Sequence, residues 1–333
     1  MRKSTLPRGL LDSIYFETMK TAPQRIVSLL SSSTEILYGL GLGEKVLAVS
    51  HECDFPPDVT GKPRATFSRI DSTATSAAID VQVRELMAAG KPLYEVDAEL
   101  LLRLRPDLIV TQAQCDVCAV RFEDVVDLVE REPALRGTPV FSLNPQRLSD
   151  VLDDVARLGE ATQRRDEAKR YLAELRERIA AVRARTGTLP PERRRRTACI
   201  EWIEPPMIAG NWTPDLVELA GGTQPYCIAG RHSIYTPWDD VVRFDPEVII
   251  VMPCGFDLER TIVEAARLRE FPYWRELRAV RDGRVYAVDG NALFNRSGPR
   301  LIESLELLAK LVHPELHGIA SDCAGEAPWW RKI

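Results

Sequence analysis

Apolar and polar positions alternate along this chain with two different periods. Short β-branched runs, "RIVSLL" at 25–30, "VLAVS" at 46–50, "DLIVT" at 107–111 and "TPVFSL" at 138–143, are nearly all apolar over strand length. Runs of that kind predict strands buried on both faces of a parallel sheet. Between the first two lies "SSSTEILYGLGLG", where a serine cluster and Glu35 mark a helix start and Gly41 and Gly43 a stop. After Asn144-Pro145 the period changes to that of a helix. Leu148, Val151, Leu152, Val155 and Leu158, then Tyr171, Leu172, Leu175, Ile179 and Val182, form one stripe among Arg and Glu, ended by Gly187. A helix over about 164–186 would be about 34 Å long at 1.5 Å per residue, long enough to carry the chain from one domain to another. Strands are predicted again at "TACIEW" (197–202), "EVIIVM" (247–252) and "RVYAVDG" (284–290).

An internal echo organises this pattern. "ELLLRLRPDLIVTQ" and "DDVVRFDPEVIIVMP" share an acidic start, an apolar helical turn, Pro106 or Pro246, and a buried strand. The expectation is an α/β protein of two Rossmann-like lobes with parallel sheets, joined by a long linking helix. Its divisions are an extension at 1–22, a first lobe at 23–145, linking helices at 146–187, a second lobe at 196–316 and a tail at 317–333.

Composition narrows the function. A chain of 333 residues with 45% apolar residues can bury a large core. A formal charge of −5 provides no basic field for nucleic acid, and no apolar run approaches the ~20 residues of a membrane span. The run Arg193–Arg196 reads as a solvated lead-in to a strand. The first residues contain no apolar h-region of a secretory signal, so a cytoplasmic location is expected, or a periplasmic one if the start lies elsewhere, for example at Met19. A monomer is expected. Seven cysteines in a reducing compartment predict thiols, not a disulfide scaffold. Motifs for hydrolysis or group transfer are missing, and no enzymatic activity is expected.

The candidate chemistry lies where ligands bind open α/β sheets, beyond the carboxyl ends of the strands. His51 and Cys53 follow one strand, Cys115 and Cys118 ("QCDVC") a second, and Cys254 a strand of the second lobe. These five residues are candidate ligands for zinc or iron, with Cys199 inside a strand as a packed small residue. The "CDVC" pair is open to three other readings: a thiol redox couple, a ligand to a cobalt chelate, or two small residues opening a helix. A metal-binding or thiol redox protein is the alternative to a binding protein.

The motifs "RIVSLLSSSTEILYGLGLGEKVLAVSHECDFPPD", "LRPDLIVTQ", "GNWTPDLVELAGG", "FDPEVIIV" and "LFNRSGPRLIESLELL", in that order, resemble the vitamin B12-binding, helical-backbone class of substrate-binding proteins of ABC importers, over roughly 24–312. The resemblance implies a cleft for cobalamin or a related metal chelate, lined by aromatic side chains. Phe67, Trp202, Trp212, Trp238 and Phe294 fit those positions, with Arg296 to meet an amide or carboxylate. It also implies one acidic residue on each lobe, Glu99 and Asp239, docking on importer membrane subunits, although both also suit a helix first turn for electrostatic reasons. The segment at about 68–95 departs from the compact family pattern.

Overall fold

The computed structural model describes residues 21–113, 119–318 and 329–333. They form two compact units. The first comprises the chain up to Asp71, Gln82–Pro145 and Asp150–Ala173; the second comprises Ser72–Val81, Gln146–Ser149 and everything from Glu174.

In the first unit the strands are β1 (Ile26–Ser28), β2 (Val46–Val49), β3 (Thr66–Ser68), β4 (Tyr94–Val96), β5 (Leu108–Gln112) and β6 (Val140–Leu143). Four of them form a parallel sheet in the order β2-β1-β5-β6. β5 is buried along its whole length, which explains its unbroken apolar sequence. One face of the sheet packs Ile26, Val46, Leu108 and Leu143 against Ile36, Leu37, Val155, Leu158 and Leu172. The other packs Val27, Ile109 and Val140 against Leu101, Val125 and Val129. The helices that supply those side chains are α1 (Ser31–Gly39), α3 (Ala98–Leu104), α4 (Phe122–Arg131), α5 (Leu148–Ala161) and α6 (Arg165–Thr186), with α2 (Ser76–Ala88) preceding α3. Gly159 has a steric reason to be glycine, because a Cβ there would sit 2.4 Å from the Ala168 methyl group where α5 turns into α6.

The second unit is built on β7 (Arg195–Trp202), β8 (Met207–Ile208), β9 (Gly222–Thr223), β10 (Ile234–Tyr235), β11 (Val248–Val251), β12 (Val285–Val288) and β13 (Trp330–Lys332). The order is β10-β8-β7-β11-β12-β13, with β9 beside the start of β7. β7, β11 and β12 run parallel, and antiparallel strands close both edges. Its helices are α7 (Thr213–Leu219), α8 (Trp238–Phe244), α9 (Leu258–Ala265), α10 (Arg278–Arg281) and α11 (Leu301–Val312).

The helix predicted over 164–186 is α6, and the repeated motif forms the same structure twice. α3 ends at Arg105 (φ 45°) before Pro106 and β5, and α8 ends at Asp245 (φ 49°) before Pro246 and β11. In each copy a left-handed residue stops the helix and proline prevents its resumption. The arginine run that leads into β7 is structural. Arg194 donates to Glu218 O, Arg195 to Val312 O and Arg196 to Asp245 O. Among the described residues no helix is long and apolar enough to cross a membrane.

Candidate functional site

At the carboxyl end of the first unit's sheet, β1 leads into a buried hydroxyl cluster. Ser28 Oγ lies 2.6 Å from Ser33 Oγ and accepts from Thr34 Oγ1 at 2.7 Å. The serine run was expected to cap α1. Instead, Ser33 Oγ donates to Leu30 O at 2.8 Å, and no side chain caps the helix. β2 leads to His51, whose Nδ1 lies 2.7 Å from Thr66 Oγ1 and whose ring centroid is 5.5 Å from that of Tyr94. Burial and the Arg64 charge hold the imidazole pKa below its ordinary value. Cys53 is 2% exposed, packed in the apolar core with its Sγ 3.2 Å from Thr34 Oγ1. Cys115 and Cys118 lie outside the described residues.

At the carboxyl end of the second unit's sheet, β7 delivers Glu201 and Trp202, and β11 delivers Cys254 and Phe256. The Cys254 N–H donates to Glu201 O at 3.2 Å, and the Cys254 side chain is exposed. Ser233 Oγ donates to Glu201 Oε2 at 2.7 Å, while burial raises the Glu201 carboxyl above its usual range. Trp202 is half-buried and meets Phe256 edge-on at 5.5 Å; the Arg260 guanidinium lies 3.5 Å from the Phe256 ring centroid. Cys199 is buried within β7, and burial pushes its thiol up to about 12.

The predicted ligand-lining residues separate by burial. Phe67 is 52% exposed, on the face of β3 opposite Thr66. Trp238 stacks among Phe271 and Trp274 and donates to Pro272 O at 2.8 Å. Trp212 is buried and donates through Nε1 to Phe294 O at 2.9 Å, and Phe294 itself is fully buried. Arg296 is also buried, bonded to Asn291 Oδ1 at 3.0 Å. Glu99 and Asp239 stand exposed in the first turns of α3 and α8. Among the described residues no group of three or more His, Cys, Asp and Glu side chains is arranged to hold a metal ion. The sequence reading missed Thr66, Glu201, Phe256 and Arg260. Only Phe256 carried a signal, as the aromatic residue of the same "PCGFD" turn that drew attention to Cys254.

Two parallel α/β units, linked by a helix that starts in one and ends in the other, define the substrate-binding proteins of the helical-backbone class. The chain belongs to the periplasmic binding protein family, which it matches over residues 26–292. It is 24% identical over 302 residues to an uncharacterized ABC transporter substrate-binding lipoprotein, YvrC, of Bacillus subtilis, covering 90% of this chain and 82% of that protein. To the vitamin B12-binding protein of Photorhabdus laumondii it is 24% identical over 311 residues, 90% of this chain and 91% of that protein. The periplasmic heme-binding protein of Pseudomonas aeruginosa shares its fold, with a TM-score of 0.66 at 20% identity over 88% of this chain and 94% of that one. Family membership corrects the expectation of a cytoplasmic protein, because the family is periplasmic and a relative aligned over most of both chains is a lipoprotein.

Proposed function

We propose that the protein is a non-catalytic binding protein for a cobalamin-like corrinoid, the substrate-binding component of an ABC importer. The observation that carries this reading is the alignment with a vitamin B12-binding protein over nine-tenths of both chains. The half-buried Trp202 supports it, since an indole face suits a broad apolar ring system. Calorimetry with cyano-, hydroxo- and adenosylcobalamin tests the proposal. One-to-one binding of at least one form is expected, and Trp202→Ala should weaken it by about tenfold or more, the loss of one aromatic contact worth ~1.5 kcal/mol. No heat with any of the three would overturn it.

Glu99 and Asp239 are the importer-facing residues of this reading. Each is exposed at the same position of the repeated helix, seven residues before Pro106 or Pro246. Both carboxylates would meet cationic side chains of the membrane subunits. Glu99→Arg combined with Asp239→Arg is expected to cut cobalamin uptake at least tenfold while the dissociation constant of the isolated protein stays the same. Uptake at the unmodified rate would leave both acids as helix first-turn residues only.

A further inference from the structure

Ser72–Val81 belongs to the second unit, although the chain on either side of it belongs to the first. Within α2 only Ser76 and Asp80 are buried, and at four residues apart they share one face of the helix. Val81 and Met87 stand more than half exposed. A surface helix ordinarily buries its apolar stripe, so α2 is inverted, and its docked face depends on hydrogen bonds that make burial of polar groups tolerable. α9 supplies the complementary face through Arg260 and Glu264, also four apart. Arg260 donates to the carbonyls of Ser72 and Ala74. Glu264 Oε2 accepts from the Ser76 hydroxyl at 2.8 Å and from the Ser76 N–H at 3.4 Å, so a carboxylate meets the first residue of α2, where helix donors are free. From β10, the Tyr235 hydroxyl donates to Asp80 Oδ1 at 3.0 Å. The same Arg260 lies over the Phe256 ring, and Phe256, fully buried, meets Trp202 edge-on. These contacts run without a break from Ser72 to the indole.

We propose that Ser72–Asp80 is a strap that fixes the Trp202 indole, with Arg260 as the positioning residue between them, and so sets how tightly a flat ligand is held on that face. A segment docked by a few polar contacts opens locally more readily than the sheet it lies on. When it opens, Arg260 loses two acceptors, Phe256 loses a fixed cover and Trp202 loses its support. Ligand and strap therefore favour one another by linkage: the factor by which the docked strap raises affinity is the factor by which ligand favours docking. The inference rests on the corrinoid-binding reading and extends it to the residues that support the indole.

Hydrogen exchange of the full chain, read by mass spectrometry, and calorimetry with cyano-, hydroxo- and adenosylcobalamin test it together. Tyr235→Phe combined with Ser76→Ala removes two anchors of the strap, and Arg260→Gln removes the link to Phe256. Both are expected to speed exchange in peptides covering 72–81 and, by about threefold or more, in those covering 200–206. Both should weaken cobalamin by about fivefold or more when Trp202 is present, and by less than about twofold in a Trp202→Ala background, since the effect passes through the indole. Arg260→Lys should recover part of the loss. Saturating cobalamin should slow exchange over 72–81 in the wild-type protein. Circular dichroism melting confirms folding, and Tyr235→Phe alone, which removes one hydroxyl, serves if the double variant does not fold. Faster exchange confined to 72–81 with unchanged affinity overturns the proposal and leaves corrinoid binding intact, as does an equal loss of affinity with and without Trp202. If the wild-type protein binds none of the three cobalamins, the corrinoid reading falls, and exchange over 200–206 alone upholds or overturns the strap as the support of Trp202.

Discussion

Phe294→Ala is expected to destabilise the second unit by about 3–5 kcal/mol, the usual cost of emptying a buried phenylalanine site. Phe294 has no exposed surface and ends the turn Gly290–Phe294, which is capped by Asp289 through the Ala292 N–H at 2.7 Å. Its carbonyl receives the Trp212 indole proton at 2.9 Å, and that bond survives truncation because the backbone is unchanged. The loss is therefore one of packing. Denaturant unfolding monitored by tryptophan fluorescence should show it as a lower midpoint. Trp202→Ala, at a half-buried position, should shift the midpoint much less and act on ligand affinity instead. Unchanged stability of Phe294→Ala with weakened corrinoid binding would return this residue to the ligand-lining set.

The contrast between these two aromatic residues shows where the sequence was informative. Period and punctuation are local properties, so β1, β2, β6, β11 and β12 fell within the predicted runs, and β5 and β7 overlap theirs, β5 running on to Gln112 and β7 starting earlier at Arg195. α6, read at about 164–186, spans Arg165–Thr186. The Pro106 and Pro246 echo was legible for the same reason, since each proline directly follows the left-handed residue that ends its helix. Burial of an aromatic or a thiol depends on which distant segments fold over it. Trp212 and Trp202 are both tryptophans at the edges of strands and loops in the sequence, yet only contacts more than 50 residues away separate them, Phe294 O for one and the Phe256 ring for the other. Cys53 follows a strand as a metal ligand would, but Thr34 and the core of the first unit enclose it. The placement of Thr66 had no sequence signal at all, because it comes from the way β3 sets one hydroxyl between His51 and Ser50.

Stability should also fall as pH rises toward neutrality, through a single buried carboxyl group. Asp154 in α5 is 3% exposed and paired with Arg157 at 2.5 Å, while Arg157 lies 5.1 Å over the Phe141 ring and donates to Ser142 O. Burial pushes the Asp154 carboxyl up to about 7, against the opposing pull of Arg157. The folded state thus holds this proton more tightly than the unfolded chain, whose ordinary value is 3.8. The stabilising contribution is present in full below pH 3.8 and is lost as pH rises through about 7. Asp154→Asn keeps the shape of the side chain and removes the ionisation. Between pH 5 and 9 the difference between the two proteins isolates this group, because contributions from all other titrating residues cancel. The variant is expected to gain on the wild type as pH rises from 5, by about 1–2 kcal/mol between pH 5 and pH 8–9, a discounted share of the ~1.4 kcal/mol per pKa unit that linkage allows. Urea midpoints at four pH values are sufficient to measure the trend. A variant less stable than the wild type at pH 8 would show that the ionised pair with Arg157 outweighs the cost of burying it.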